Sequence, residues 1–372
     1  MRIALVVPGG VDRSGDVRVI PALLALITRL SAHHDVRVIA LNQEPLPGDW
    51  ALRGARIFNI GARRTVLSAV RKLVDLHRVA RFDVIQSIWS GSCGLVAAVA
   101  GRTLSVPTAI HIAGGELVAL RDIGYGGRLG WRGRLREAVV LRAADRLTAA
   151  SRPILQSLSN LGLRAQRIPL GVDLQSWMPR APVRSASGGV ARLVHLASLN
   201  AVKDQATLLR ALELLKRDGV PFRMDMIGED TLGGAMQALC AQLGLNERVS
   251  FRGFLSQREA RPVVESADVM VMSSRHEAGP LSMLEAAVVG VPTVGTAVGH
   301  IAEWAPDSAI AVPIGDAVAL AGAVRHILSD EELRMRIAES AHRRALEEDA
   351  DHTARQFESL YVDLTGRGRR TE

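Results

Sequence analysis

Short apolar runs alternate along the whole chain with longer segments in which apolar residues recur at helical spacing. The runs are rich in Val, Ile, Leu and Ala, which is typical of buried parallel strands, and the longer segments have one apolar face. Gly, Pro and Ser punctuate the boundaries between them and indicate loops. The pattern therefore predicts an α/β protein built from consecutive βα units.

The predicted strands lie at residues 2–7, 36–41, 82–85, 107–112, 146–150, 193–197, 222–227, 249–254, 269–272 and 291–294. The predicted helices lie at residues 19–30, 63–79, 93–101, 128–145, 205–217, 235–243, 258–266, 317–328, 331–347 and 353–364, with one more that starts at Pro280.

The stretch at residues 179–189, PRAPVRSASGG, has no apolar periodicity and is predicted to be a linker. A chain of 372 residues is too long for one ordinary core and suits two domains of about 150 to 200 residues each. We expect Rossmann-like domains at residues 1–180 and 190–352, followed by a C-terminal helix and tail at residues 353–372.

The chemistry of the chain is predicted to converge on the stretch from residue 268 to residue 303. A buried strand ends there at the polar loop 273–277, and Gly279 and Pro280 then begin a helix. The free backbone N–H groups near Leu281 and Ser282 would face a ligand above the strand, and such groups favour a phosphate. A second loop, which contains Gly299 and His300, is expected at the same edge of the sheet, and Glu303 beyond it is expected to face solvent.

Glu277 and Glu285 are separated by seven residues, and EAAVVGVPTVGTAVGH follows at residues 285–300. Set between a buried strand and a Gly/Pro helix start, this stretch resembles the E-x7-E element of the retaining GT-B glycosyltransferases of family 4. The resemblance extends over nearly the whole chain, through Gly9-Gly10, GVD at 171–173, SLNAVKD at 198–204, Ile227-Gly228 and VSFRG at 249–253. It implies two Rossmann-like domains that face a cleft, and a C-terminal helix that crosses back to the first domain.

The resemblance also implies roles for individual residues. Lys203 would pair with the diphosphate of a nucleotide-sugar donor, Glu285 would hold its ribose hydroxyls, and Glu277 would lie near the sugar. His111 matches a histidine that approaches the transferred sugar, although a neutral core histidine is an equal alternative. The remaining expected donor-site residues are Gly9, Gly10, Ser198, Gly228, Gly279, Pro280, Leu281 and Ser282.

Ser198 departs from the family pattern, because most relatives have an arginine at this position. A hydroxyl can donate a hydrogen bond but brings no charge, so Ser198 does not itself replace the charged phosphate contact of that arginine. An ammonium group and helix N–H groups can neutralise a leaving diphosphate without a metal ion. We therefore expect neither a metal nor another cofactor.

The composition agrees with an α/β protein, since hydrophobic residues make up 48% of the chain and aromatic residues only 3%. The two cysteines, Cys93 and Cys240, have no metal-ligand spacing and are expected to be reduced thiols. No apolar run has the length of a membrane span, and residues 3–8 predict a first strand rather than a signal peptide. We therefore expect a cytoplasmic protein.

The positive charge is concentrated in the first half of the chain, where residues 1–180 carry 25 basic and 12 acidic residues. Part of it lies in the helical segment 128–142, where five arginines alternate with Leu129, Trp131, Leu135 and Val139. Two interpretations remain open for this segment. It is either a basic amphipathic helix that contacts the anionic inner face of a membrane, or a helix packed on the sheet with solvated arginines. Nucleic acid is not an expected partner, because the arginines are dispersed and no aromatic-basic platform is present.

The expected function is transfer of a sugar from a nucleotide diphosphate donor to a hydroxyl acceptor, with retention of configuration. The alternatives are another GT-B enzyme, such as a nucleotide-sugar epimerase, and a degenerate GT-B module that binds a nucleotide sugar or acts as a scaffold. The second alternative is prompted by Ser198, while Lys203, Glu277 and Glu285 argue against it.

Overall fold

The computed structural model describes residues 1–62, 65–185 and 189–366. The chain divides into two compact units. The first unit contains Met1–Asp173 and the stretch that begins at Ala350, and the second unit contains Leu174–Asp349. Each unit is a mainly parallel β-sheet with helices packed against it, which confirms the predicted pair of Rossmann-like domains.

The first unit begins with β1 (Arg2–Val7), α1 (Pro21–His33), β2 (Asp35–Ala40), β3 (Gly48–Leu52), β4 (Ala55–Asn59), α2 (Thr65–Val79), β5 (Val84–Ile88), α3 (Gly91–Leu104), β6 (Thr108–Ile112), α4 (Trp131–Ala143), β7 (Arg146–Ala149), α5 (Arg152–Ser159) and β8 (Gln166–Arg167). Its sheet has the order β3-β4-β2-β1-β5-β6-β7-β8, and every pair except β3-β4 is parallel. Residue 63, the predicted start of α2, lies outside the described residues.

The hairpin of β3 and β4 was not predicted. Its strands are short, and exposed and buried residues alternate in them around the tight turn at Arg53 and Gly54. Trp50 fixes the hairpin to the loop after β1, because its side chain is buried and its indole N–H donates to the Val11 carbonyl at 3.2 Å. This contact joins residues that are distant in sequence, so a local pattern does not reveal it.

The second unit contains β9 (Ala191–Leu196), α6 (Gln205–Arg217), β10 (Phe222–Ile227), α7 (Ala235–Gln242), β11 (Val249–Gly253), α8 (Gln257–Glu265), β12 (Val269–Met272), α9 (Leu281–Val288), β13 (Thr293–Thr296), α10 (Gly299–Trp304), β14 (Ile310–Val312), α11 (Ala317–Ser329) and α12 (Glu331–Glu347). Its sheet is entirely parallel, with the order β11-β10-β9-β12-β13-β14. The strand order reverses between β9 and β12, and open α/β sheets bind ligands at the carboxyl end of such a reversal.

The last helix, α13 (Ala350–Thr365), belongs to the first unit, which confirms the predicted return of the chain. Phe357 and Tyr361 are fully buried there, and the Tyr361 hydroxyl is hydrogen-bonded to Gln86 of β5. His34, at the end of α1, contacts Glu358 at 3.2 Å. The helix starts three residues earlier than predicted, and residues 367–372 of the predicted tail lie outside the described residues.

The predicted linker is instead largely fixed to the second unit. The Arg180 N–H donates to the Val288 carbonyl at 3.1 Å, and the Ser185 hydroxyl donates to Asp268 at 2.5 Å. The buried Arg334 guanidinium donates to the Val183 carbonyl at 2.7 Å. The division between the units therefore falls after Asp173 and not at residue 180, while linker residues 186–188 lie outside the described residues.

Three local predictions around α9 and α10 were wrong. Pro280 is the residue before the helix and not part of its first turn. Gly299 and His300 begin α10, although a loop was expected there. The Glu303 side chain is completely buried and accepts from Arg344 Nη2 at 2.8 Å, so it does not face solvent. A buried carboxylate needs such a partner, which the local sequence pattern did not reveal.

Candidate functional site

Two loops of the second unit meet where its strand order reverses. One follows β9 and carries Lys203, and the other follows β12 and carries Glu277. The Ser273 hydroxyl donates to the Lys203 carbonyl at 2.8 Å, and the Arg275 N–H donates to the Val202 carbonyl at 2.8 Å. These bonds hold the two loops together at the carboxyl edge of the sheet, where the sequence predicts the donor site.

Lys203 and Glu277 form an ion pair, with Nζ 2.5 Å from Oε1. The two side chains are 22% and 10% exposed, so the pair is partly desolvated and its attraction is stronger than that of a surface pair. The Ser274 hydroxyl donates to the same Glu277 oxygen at 2.7 Å. The site thus combines an ammonium group, a carboxylate and a hydroxyl within hydrogen-bonding distance.

Lys203 is held in place by the start of α6. Asp204 has a left-handed backbone conformation with φ +48° and caps the helix, since its side chain accepts from Thr207 N at 3.3 Å. The Lys203 N–H donates to the Asn200 side chain at 3.2 Å. The backbone on both sides of the lysine is therefore fixed by hydrogen bonds.

Glu285 is the fifth of the eight residues of α9 and is buried, with 8% of the residue exposed. Burial raises its pKa to about 7, and the Gln257 amide, followed by the Trp177 indole, opposes this shift. Gln257 Nε2 donates to Glu285 Oε1 at 3.1 Å, whereas the buried Trp177 Nε1 makes no hydrogen bond of ordinary distance and angle. A buried carboxylate whose second oxygen, Oε2, can still accept a hydrogen bond suits a ligand with hydroxyl groups.

The residues that precede and start α9 are packed closely. Pro280 is buried, while Gly279, Leu281 and Ser282 are partly exposed. The first backbone N–H groups of a helix have no partner within the helix, so they are free to meet an anion. A Cβ atom on Gly299 would lie 3.0 Å from the Glu277 carbonyl and 3.1 Å from Pro280, so glycine permits this close approach.

Glycine is also needed at Gly228, where β10 ends. Its φ is +153°, and a Cβ atom there would lie 2.0 Å from the Ala197 carbonyl. The loop after β10 therefore packs directly on the loop after β9. Ser198, which follows Ala197, is exposed, so its side chain is free to meet a ligand.

His195 and Gln205 lie beneath these loops and were not predicted. His195 is fully buried, and its Nδ1 donates to the Val271 carbonyl at 2.8 Å, because a carbonyl can only accept. Gln205 Nε2 lies 3.2 Å from His195 Nε2 and donates to the Ser198 carbonyl at 3.0 Å. Burial lowers the pKa of His195 to about 4, so the ring is neutral and supports the site without charge.

His111 lies in the first unit, at the end of β6, and is fully buried. Its Nδ1 is 2.9 Å from the Thr148 hydroxyl, its ring packs edge-on against Phe357, and Nε2 has no hydrogen-bond partner. Burial lowers its pKa to about 3, so the imidazole is neutral. These contacts are typical of a neutral core histidine, the alternative considered above. A contact between His111 and the transferred sugar stays a prediction.

Gly9 and Gly10 follow β1 in the first unit. Gly10 has φ +80°, and a Cβ atom there would lie 2.6 Å from the Ile20 side chain. Gly10 is therefore required by the turn itself. A Cβ atom on Gly9 would have more room, since its nearest neighbour is Gln43 Oε1 at 3.2 Å. Contact of either glycine with a donor stays a prediction.

Two buried glutamates of the first unit were not predicted. Glu116 Oε2 accepts from Gly114 N at 2.8 Å, its Oε1 accepts from Ser90 N at 3.3 Å, and the Ser90 hydroxyl donates to Glu137. Burial, with a contribution from Glu137, raises the pKa of Glu116 to about 7, and burial raises that of Glu137 as well. Glu116 lies in the loop after the predicted strand 107–112, and this position at a strand end was the sequence signal that could have identified it.

Two family models match the chain, one in each unit. The model described as glycosyl transferase 4-like domain matches residues 19–171, and the model described as glycosyl transferases group 1 matches residues 184–344.

Among the described residues, no group of three or more His, Cys, Asp or Glu side chains could hold a metal ion. Within the same part of the chain, no helix combines the length and apolarity needed to cross a membrane.

Curated relatives include N-acetyl-alpha-D-glucosaminyl L-malate synthase of Bacillus anthracis, which is 27% identical over 46% of this chain and 45% of its own length. D-inositol 3-phosphate glycosyltransferase of Xylanimonas cellulosilytica is 28% identical over 62% of this chain and 60% of its own length. These matches thus span about half of each relative.

Solved structures share the fold over almost the whole chain. Sucrose-phosphate synthase of Thermosynechococcus elongatus has a TM-score of 0.83 at 19% identity, covering 99% of this chain and 100% of that one. Anabaena HepE in complex with UDP and glucose has a TM-score of 0.73 at 17% identity, covering 97% and 100%. Because a glycosyltransferase family model matches each of the two units, the chain belongs to the GT-B glycosyltransferases of the family 4 type.

Proposed function

We propose that this protein transfers a sugar from a nucleotide diphosphate donor to a hydroxyl acceptor, with retention of configuration. The observation that carries the proposal is the Lys203–Glu277 ion pair at the strand reversal of the second unit. Glu277 lies shortly before α9, the helix that carries the buried Glu285. The UDP and glucose bound to Anabaena HepE, a protein of the same fold, support a donor of this class.

Each group has a chemical role in this proposal. The donor diphosphate binds the Lys203 ammonium and the free N–H groups of α9, which stabilise the negative charge that develops on the leaving phosphate. Glu285 accepts hydrogen bonds from the ribose hydroxyls, and Glu277 lies beside the transferred sugar. The leaving phosphate assists the acceptor hydroxyl on the same face, which retains the configuration. No metal ion is required.

A panel of nucleoside diphosphates in thermal-shift assays tests donor binding. A ligand at 100 times its dissociation constant stabilises a protein by about 2.7 kcal/mol, so the correct nucleoside should stand out. The matching nucleotide sugars are then incubated with the protein, and NMR of the released or transferred sugar reports its anomeric configuration. Binding without turnover would favour the degenerate module that Ser198 suggests, and no binding to any nucleotide would exclude the proposal.

We propose that the first unit binds an anionic membrane and so places the transferase at the membrane surface. Trp131, Leu135 and Val139 recur every four residues along α4 and are 63%, 58% and 54% exposed. They form an apolar stripe, which we call the α4 stripe. A helix packed on the sheet with only a solvated arginine face would not expose these three side chains.

Arginines surround the α4 stripe. Arg132, Arg134, Arg136 and Arg142 are exposed on the same helix, and Arg132 lies over the Trp131 ring at 5.4 Å. Apolar side chains that enter the headgroup region and cations that meet acidic lipids are the two features of interfacial helices. The acceptor of this proposal is therefore a hydroxyl on a lipid-linked molecule.

A further inference from the structure

The Glu285 carboxylate is buried, and the side chains that act on its charge are both uncharged. They are the Gln257 amide and the Trp177 indole, of which only Gln257 makes a hydrogen bond, from Nε2 to Oε1 at 3.1 Å. An amide nitrogen only donates, so this bond requires that Oε1 accept. It leaves Oε2 available to a ligand and favours the ionised form of the carboxylate.

Gln257 is itself held firmly, because it is the first residue of α8. Ser256, before it, forms a capping box with Glu259, whose Oε2 accepts from the Ser256 N–H at 2.9 Å and from its hydroxyl at 2.8 Å. The backbone of Gln257 is thus fixed by a helix start that does not involve Glu285. The Gln257 amide therefore donates to Glu285 from a backbone position that is set independently of α9.

We propose that Gln257 is a positioning residue for donor recognition: its amide orients Glu285 and favours the carboxylate form, so that the free oxygen accepts hydrogen bonds from the ribose of the donor. This inference rests on the proposed function, in which Glu285 binds the ribose. It gives a role to a residue that contacts no ligand. Its hydrogen bond also opposes the rise in the pKa of Glu285 that burial causes.

The experiment compares the nucleoside diphosphate that binds wild-type protein with its 2′-deoxy and 3′-deoxy forms, by calorimetry at pH 7.5. Gln257→Leu removes the amide with little change in size, and Gln257→Met serves as a second variant. Arg258→Ala is the matched control, since Arg258 is the next residue of α8 and is exposed. Glu285→Gln provides the reference for loss of the ribose contact.

Wild-type protein and Arg258→Ala should prefer the ribose form. In Gln257→Leu the ribose form should bind about tenfold more weakly, the expected loss for hydrogen bonds to a charged group, while one or both deoxy forms bind as before. Raising the pH to 9 should restore most of the lost affinity, because the carboxylate that has lost its amide donor then ionises. A purely structural defect would weaken all forms equally and would not recover at high pH.

The possible outcomes separate the inference from the proposed function. If Glu285→Gln loses the preference for ribose and both Gln257 variants keep it, Gln257 does not position Glu285, although the donor site stands. Equal weakening of ribose and deoxy forms in the Gln257 variants also overturns the inference. If no nucleoside diphosphate binds wild-type protein, the proposed function fails, and the inference fails with it.

Discussion

Lys203 Nζ lies 2.5 Å from Glu277 Oε1, so the ammonium group expected to meet a diphosphate is paired with a carboxylate. A bound diphosphate would compete with Glu277 for Lys203. The pair therefore orients Lys203, and a diphosphate that displaced Glu277 from it would leave the carboxylate free to turn to the sugar.

The first prediction separates the roles of these charges. Lys203→Ala and Glu285→Ala should weaken nucleoside diphosphate binding about tenfold to a hundredfold, because a hydrogen bond to a charged group contributes about 1.5 to 3 kcal/mol. Glu277→Gln should leave this affinity unchanged or slightly tighter, since Lys203 loses its competing partner, but should reduce transfer.

Calorimetry measures the binding, and a donor-turnover assay measures transfer. Lys216→Ala is the control for Lys203, because Lys216 also lies in the second unit but donates to the Gly244 carbonyl at 2.7 Å, away from the site. Unchanged nucleotide affinity in both Lys203→Ala and Glu285→Ala would contradict the donor-site assignment.

The second prediction concerns metal dependence. Activity should persist in excess chelator, because Lys203 and the N–H groups of α9 are proposed to neutralise the leaving diphosphate. Donor turnover is measured with chelator, and then with added magnesium or manganese. Turnover that disappears with chelator and returns with either ion would show that the proposed charge neutralisation is incomplete.

The third prediction concerns the pH dependence of stability, through Glu137. Burial raises the pKa of this side chain, so the folded state binds its proton more tightly than the unfolded state does. Its stabilising contribution is therefore present below the ordinary glutamate pKa, and it is lost as the pH rises through the higher folded-state value.

Glu137→Gln removes this titration but keeps an oxygen that can accept from the Ser90 hydroxyl. The variant should be more stable than wild-type protein at pH 8 and similar to it at pH 5, as measured by denaturant unfolding at both values. Glu213→Gln, on α6 of the second unit, is a suitable control. An equal effect of Glu137→Gln at the two pH values would show that Glu137 does not titrate in this range.

The fourth prediction concerns membrane binding. The protein should sediment with vesicles that contain acidic lipid, and binding should weaken as salt rises, because each basic residue near the surface contributes about 1 kcal/mol and is screened beyond about 8 Å. Trp131→Ser and the pair Arg132→Gln with Arg136→Gln should each reduce binding.

Val79→Ser and Arg102→Gln are matched controls, because both residues are exposed on other helices of the first unit. They should bind vesicles as wild-type protein does. If wild-type protein remains in the supernatant with acidic vesicles at low salt, the α4 stripe is not a membrane contact, and a soluble acceptor is the better hypothesis.

The sequence predicted most of the βα alternation and the two loops that carry Lys203 and Glu277, since buried parallel strands and glycine-rich loops have strong local patterns. It missed elements that depend on distant contacts. The β3-β4 hairpin is held by Trp50 and Val11, and Glu303 is buried because Arg344 reaches it. Gln257 was missed for the same reason, because its hydrogen bond to Glu285 joins two different helices, α8 and α9.

The return of α13 to the first unit has a consequence for biosynthesis. The second unit, Leu174–Asp349, is inserted between two parts of the first, so its 176 residues are made before α13 exists. At a translation rate of about 5 to 20 residues per second, this takes roughly 10 to 35 s. During that time His111 and Gln86 lack Phe357 and Tyr361, which cover them in the finished protein. A nascent first unit therefore waits on the ribosome with part of its core open, and the second unit is the first that can complete its own core.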